Sequence, residues 1–386
     1  MKVLLTHSSA DLYGSDRMAA EAAGALVDRG HEVCVVLPSE GPLTARMRQT
    51  GAQVRELAVP VLRKANLRPR GFITLLGELV RTAPGMWGVM RDVQPDVVYV
   101  NTVTQPWWLV LSRLRRLPSI THVREAEPQL PRAVGTALML PLLLSDLVIC
   151  NSRSTQQEVR RAVPAPSRRV RVIYNGKDWS RYALEEQPQA RSAPSGVLTI
   201  VVVGRLSPRK GQDVVVRALG EMVTAGLDAR LRLVGDVFPG YEWYEEELRD
   251  LARSLGVADR VELVGFLDDI LPELGAADIA VVPSRIEPFG TVAAESMAAG
   301  VLTIVSEVQG LTEIVTDGHT GLTFPSEDAG ALAKHCLWAA RNVRDASRIS
   351  QAGRESVRRR FTLQLYRTQI VEALEGVASP HRPEES

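Results

Sequence analysis

Short apolar runs alternate with helical patterns along almost the whole chain. In the first half, residues 3–5, 32–37, 97–101, 119–123, 147–150 and 170–173 read as strands. Residues 16–29 between them, rich in Ala and Met, read as a helix. A second series of apolar runs occupies 198–203, 230–234, 261–264, 279–282 and 302–305, with helices expected at 244–255 and 329–340. Such alternation predicts right-handed βαβ units, a parallel sheet in each half and helices on both faces. Residues 178–196 lose the apolar periodicity and gather Glu, Gln, Pro and Ser, which predicts a linker. Residues 363–377 read as an amphipathic helix, and 378–386 as a frayed tail. The apolar run 137–150 is broken by Pro141 and Asp146, so it predicts a core helix and a strand, not a membrane span.

Composition changes this picture little. At 386 residues the chain accommodates two domains, with the hydrophobic and charged content of a soluble globular protein. The 46 basic and 45 acidic residues nearly cancel, so no global field favours nucleic acid as a partner. Cys34, Cys150 and Cys336 stand in apolar stretches without metal-type spacing and read as buried, inert thiols, which suits a cytoplasmic location. The N-terminal apolar run is too short for a signal peptide.

Open parallel sheets bind ligands at the carboxyl ends of their strands, and with two such domains the expected site is the cleft between them. The loops after the strands therefore carry the candidate chemistry. After 279–282 come Pro283, Ser284, Glu287, Pro288, Phe289 and Gly290, then a helix start at Thr291 that carries Glu295. Gly290 leaves backbone N–H groups open at a helix N-terminus, a place for an anion, and the two carboxylates can accept from hydroxyls. A nucleotide sugar has both chemistries. After 198–203 come Gly204, Arg205, Arg209, Lys210 and Gly211, whose cations can neutralise a departing diphosphate; a solvated turn is the plainer reading. Gly265 followed by Phe266 can hold a planar base against backbone or be an ordinary turn. In the first half, Gly14 allows close backbone approach ahead of a helix. His122 is a candidate acid, base or substrate-positioning group, or a structural histidine. Asn101, Thr102, Asn151 and Ser152 are polar strand ends, and Asn151 with Ser152 also reads as a helix cap.

Taken in order, Gly204, Arg205, Lys210, Gly211, Gly265, Glu287, Gly290, Glu295, Gly300, Glu313 and Gly321 resemble the retaining glycosyltransferases of family 4, with the seven-residue spacing between Glu287 and Glu295 as the most specific element. The resemblance covers nearly the whole chain and is weaker in the N-terminal half. It implies the GT-B fold: an N-terminal Rossmann-like acceptor domain (1–178), a linker (179–196), a C-terminal Rossmann-like donor domain (197–362), and a helix and tail (363–386) returning to the N-terminal domain. It implies that Arg205 and Lys210 bind the donor diphosphate, Glu295 the ribose and Glu287 the sugar hydroxyls. Phe289, Gly290 and Thr291 would supply backbone donors, with His122 near the transferred sugar and Gly14 at the donor–acceptor junction. The implied donor is a UDP- or GDP-hexose and the acceptor a glycan, lipid-linked saccharide or small molecule, with no cofactor and no required metal. The Tyr13, Gly14, Ser15, Asp16 loop departs from the family pattern, so acceptor choice does not transfer, and the Val308, Gln309, Gly310 segment departs from it where donor-sugar contacts are expected to change. A nucleotide-sugar epimerase and a non-catalytic sugar-nucleotide binder are the rival readings. Arg63, Lys64, Arg68 and Arg70, followed by Phe72, Ile73, Leu75 and Leu76, read either as a patch resting on anionic lipid at the inner face of a membrane or as a helix with a solvated basic end.

Overall fold

The computed structural model describes residues 1–125, 131–163, 169–182, 196–237 and 240–379. Two units emerge: Met1–Gly176 with Leu363–Ser386, called unit 1, and Lys177–Thr362, called unit 2. The strands of unit 1 are β1 (Lys2–Thr6), β2 (Glu32–Leu37), β3 (Gln53–Glu56), β4 (Val97–Val100), β5 (Ser119–Val123), β6 (Leu147–Cys150) and β7 (Val170–Val172). They form one sheet in the order β3-β2-β1-β4-β5-β6-β7, every pairing parallel. Central strands such as β4 and β6 are buried on both faces, which is why they appear in sequence as unbroken apolar runs.

Unit 2 contains β8 (Leu198–Val203), β9 (Ala229–Val234), β10 (Val261–Gly265), β11 (Ile279–Val282), β12 (Leu302–Ser306) and β13 (Leu322–Phe324). Their order is β10-β9-β8-β11-β12-β13, again all parallel. Both sheets are therefore doubly wound, with strand order reversing between β1 and β4 in one and between β8 and β11 in the other. The expected pair of Rossmann-like units is present. Two strands were absent from the sequence reading, β3 and β13, one polar and half-exposed, the other three residues long.

The C-terminal helix Leu363–Ala378 returns to unit 1, as expected. Tyr366 donates to the Met18 carbonyl (2.9 Å), and Arg367 pairs with Glu21 (3.2 Å) and Asp28 (3.0 Å) on the helix Gly14–Asp28. Of the expected linker, 183–195 lies outside the described residues, as does 380–386 of the tail. The part that is described does not behave as a linker: Trp179 and Tyr182 are buried in unit 2, and the Trp179 indole donates to the Phe361 carbonyl (3.0 Å). All three cysteines are buried, and burial pushes the Cys150 and Cys336 thiols up to about 12.

Candidate active site

In unit 2 the loops after β8 and β11 leave adjacent strands on either side of the reversal in strand order, where a doubly wound sheet opens a crevice. The first loop runs through Gly204 and a 3-10 turn, Pro208–Lys210, to Gly211. Gly211 caps the helix Gln212–Thr224 at φ +70, and a Cβ there would stand 2.2 Å from the Pro283 carbonyl oxygen. Only glycine meets both demands, so the two loops are held in backbone contact. That contact brings Lys210 to Glu287, Nζ to Oε2 at 2.5 Å. Glu287 also accepts from the Ser284 hydroxyl (3.1 Å), and its backbone N–H donates to the Gln309 side chain (2.7 Å). Arg205 is half-buried on the same loop, its carbonyl accepting from Gln212 (2.9 Å).

A second ion pair, unseen in the sequence, fixes this geometry. Arg285 makes two hydrogen bonds to Asp213 (both 2.9 Å), bonds the Pro208 carbonyl (2.6 Å) and pairs with Glu327 (2.8 Å). Tyr244 donates to Asp213 as well (2.8 Å). Burial opposes ionisation of Asp213, but the Arg285 and Tyr244 hydrogen bonds outweigh it and hold the carboxyl below its ordinary range. The Asp213 hydrogen bond raises the Arg285 pKa, so the pair stays charged. Arg285 thereby staples the Pro208 turn to the strand end that carries Glu287.

Gly290 stands at φ +106 ahead of the helix Thr291–Ala298, and its Cβ position is filled by Leu311 Cδ2 at 2.5 Å. Phe289 is buried against Phe361, ring centroids 5.5 Å apart, so its side chain is a packing anchor. Glu295, one turn into the helix, is nearly buried and takes a short hydrogen bond from Lys177, while the Tyr182 hydroxyl lies 3.3 Å away. Each glutamate of the pair is thus matched by a lysine. At the end of β10, Gly265 (φ +81) pairs with Gly235 and leaves Phe266 exposed beside the Asp236 carboxylate, which accepts from the Phe266 N–H (3.1 Å). An exposed aromatic edge next to two glycines leaves an open planar surface.

Unit 1 has its own polar cluster at the β1/β4 reversal. His7 bonds Asp16 (2.7 Å) through one nitrogen and Asn101 (3.0 Å) through the other. Arg124 donates to Asn101 (2.9 Å), Asn175 (3.0 Å) and the Tyr366 hydroxyl (3.0 Å). Asp16 also accepts from the Tyr13 N–H (2.8 Å), which shapes the loop carrying Gly14, the first residue of its helix. Burial raises the Asp16 pKa less than its hydrogen bonds, chiefly to His7, lower it. His122 was expected beside the transferred sugar, but it presents no surface to solvent. Its Nδ1 faces the Tyr99 hydroxyl (2.7 Å) and Arg124 (3.3 Å), both donors, so Nε2 carries the proton and is buried without a partner among the described residues. Burial first, and the Arg124 charge second, hold its pKa well below the ordinary histidine value.

Comparison with known proteins agrees with this architecture. A family model described as glycosyltransferase family 4 matches residues 13–181, and one described as glycosyl transferases group 1 matches 184–356. A D-inositol 3-phosphate glycosyltransferase of Acidothermus cellulolyticus is 30% identical over 71% of this chain and 62% of its own length. A glycogen synthase of Mycobacterium tuberculosis is 30% identical over 71% of this chain and 66% of its own. A D-inositol 3-phosphate glycosyltransferase of Catenulispora acidiphila is 34% identical over 49% and 46%. The matches thus span about half to just under two-thirds of these curated relatives. The Anabaena HepE structure in complex with UDP superposes with a TM-score of 0.81, covering 97% of this chain and all of that one at 24% identity; HepE was also solved with UDP-glucose. At that identity the likeness speaks for the fold alone. The two models together account for nearly the whole sequence, and the chain belongs to glycosyltransferase family 4, built on the GT-B fold.

Proposed function

We propose that this chain transfers a hexose from a nucleoside diphosphate sugar to an acceptor hydroxyl, with retention at the anomeric carbon. The observation that carries the reading is the convergence in unit 2 of Lys210 on Glu287 and of Lys177 on Glu295, around the helix start at Gly290. Cations and backbone donors suit a diphosphate, and carboxylates suit sugar and ribose hydroxyls. Each lysine neutralises a carboxylate that would otherwise be largely buried and uncompensated. In this reading the donor takes over both sets of contacts, its phosphates drawing on Lys210 and Arg205 and its hydroxyls on Glu287 and Glu295.

The reaction breaks the bond between the anomeric carbon and the diphosphate oxygen through an oxocarbenium-like transition state. Negative charge grows on the departing diphosphate, so Arg205, Lys210 and the Gly290 N–H groups stabilise the transition state more than the bound donor. The acceptor oxygen forms the new bond on the face the diphosphate leaves, and a phosphate oxygen takes the acceptor proton. Arg205 and Lys210 supply the neutralising charge in this scheme without a metal ion. HepE, which shares this fold, was solved with UDP and UDP-glucose, so UDP-glucose is the first donor to test. For the acceptor, unit 1 offers an open cavity of about 840 Å³ lined by Arg63, Lys64, Thr104, Glu125, Arg132 and Arg161.

Incubation with UDP-glucose and a panel of polyol, glycan and lipid-linked acceptors, read by NMR of the anomeric centre, tests the reading. Release of UDP with a product of unchanged anomeric configuration supports it. Interconversion of the donor without acceptor points to an epimerase. Donor binding with neither transfer nor hydrolysis points to a binding protein.

A further inference from the structure

Nine of the fourteen exposed large hydrophobic side chains among the described residues fall between Phe72 and Leu143. Five of them, Phe72, Ile73, Leu76, Val80 and Trp87, belong to the 25-residue helix Pro69–Val93. At 100° per residue these five lie within one 100° arc, and the stripe runs for about 22 Å. It is not the face that packs: Leu75, Met86 and Val89 are buried on a different side of the helix, and the buried Met90 lies at the edge that the two faces share. Ile73 and Val80 are 69% and 68% exposed, values at odds with the cost of leaving such side chains in water. The neighbouring helix Trp107–Leu114 and 3-10 turn Leu140–Leu144, built on the same layer, add Val110, Leu114, Leu140 and Leu143. Arg115 stacks over the Trp87 ring at 5.1 Å and links the two helices.

Charge around this surface is one-sided. Residues 63–116 hold nine Lys and Arg against three Asp and Glu, whereas the whole chain carries a net charge of only +1. Between Arg63 and Arg91 the one acidic residue is Glu78. Arg68, Arg70 and Arg81 are exposed beside the stripe.

We propose that this face of unit 1 docks on the surface of an anionic lipid bilayer. No helix among the described residues is long and apolar enough to cross a membrane. A helix with an apolar stripe and a basic flank instead lies in the interfacial plane, its apolar side chains among the acyl chains and its cations among the headgroups. Trp87 suits the headgroup level. The basic cavity of unit 1 includes Arg63 and Lys64, just before this helix, so a lipid-linked anionic acceptor presented by the bilayer fits the same geometry.

The test is cosedimentation of the full chain with vesicles of phosphatidylcholine alone and of equal parts phosphatidylcholine and phosphatidylglycerol. Two variants accompany it: Ile73→Asp with Val80→Asp, and Arg68→Glu with Arg70→Glu and Arg81→Glu. All these positions are exposed, and circular dichroism checks that the fold survives. Each basic residue near such a surface strengthens partition several-fold. The expected result is binding to the anionic vesicles, at least ten-fold weaker binding to neutral ones, and at least a ten-fold loss in both variants. Absence of binding to anionic vesicles, or binding undiminished in folded variants, overturns the proposal. So does concentration-dependent self-association abolished by Ile73→Asp with Val80→Asp, since a second copy would then occupy the face.

Discussion

His122 gives a sharp prediction because its environment leaves one sign for the effect. The ring is fully enclosed, accepts from Tyr99 at Nδ1 and faces the Arg124 guanidinium, so protonation inside the fold is opposed by burial and by charge. The unfolded chain takes up a proton near pH 6.5, and the folded chain takes it up only well below that. Above the unfolded value neither state is protonated and His122 contributes no pH dependence. Below it, the unfolded state binds the extra proton, and stability falls by about 1.4 kcal/mol per pH unit until the folded value is reached. That is about ten-fold in the opening constant per unit, against a typical total of about 5–15 kcal/mol. His122→Gln keeps an acceptor for the Tyr99 hydroxyl and removes the titration. Hydrogen exchange of the β5 amides, corrected for intrinsic rates, reads the opening of unit 1 specifically. Between about pH 6 and about pH 5, protection in wild type should fall about ten-fold more than in His122→Gln. Equal pH dependence in the two proteins refutes the reasoning and returns His122 to the accessible histidines.

Other positions give simpler tests. Arg205→Ala with Lys210→Ala should lower turnover by about 10²- to 10³-fold or more in protein still folded by circular dichroism, beyond the stability lost by leaving Glu287 unpaired; near-wild-type transfer removes both from the leaving-group role. Gly211→Ala must accept φ +70 and a Cβ 2.2 Å from the Pro283 carbonyl, so it should cost about 1–3 kcal/mol, read as a lower urea midpoint for unit 2. Gly226→Ala, at φ +82 in open space, is the control and should cost about 1 kcal/mol. Asp213→Ala strips the main partner from Arg285, which is still 23% exposed, so the loss should be about 2–3 kcal/mol, below the full cost of breaking a buried pair. Because the Asp213 carboxyl titrates below its ordinary value, its contribution is complete above about pH 4 and fades on further acidification, a slope absent from Asp213→Ala.

Much of this was legible in the chain because parallel strands buried on both faces leave continuous apolar runs. β2, β5 and β11 stand where those runs stand. β3 was not legible: Gln53 and Glu56 are exposed and the strand gains its place only by pairing with β2. The Glu287, Glu295 and Lys210 motif could be read because local spacing fixes it. Their partners could not. Lys177 meets Glu295 from 118 residues away, Asp213 meets Arg285 from 72, and Arg124 meets Tyr366 from 242. Nothing in local pattern signals such pairings. Arg285 stands in the loop after β11, two residues before Glu287, but that position does not identify Asp213 as its partner. In sequence, His122 stays open between a ligand-facing and a structural role, because a histidine at a strand end looks the same whether it faces a ligand or the interior.

The central claim is that the carboxylates and cations of unit 2 hold a nucleoside diphosphate, and calorimetric titration of UDP into the full chain tests it most directly. The account predicts saturable binding to wild type, weakened about ten-fold or more in both Lys210→Met and Glu295→Gln, each folded as judged by circular dichroism. Affinity for UDP unchanged in both variants, or no binding of UDP or GDP by the wild type, contradicts it.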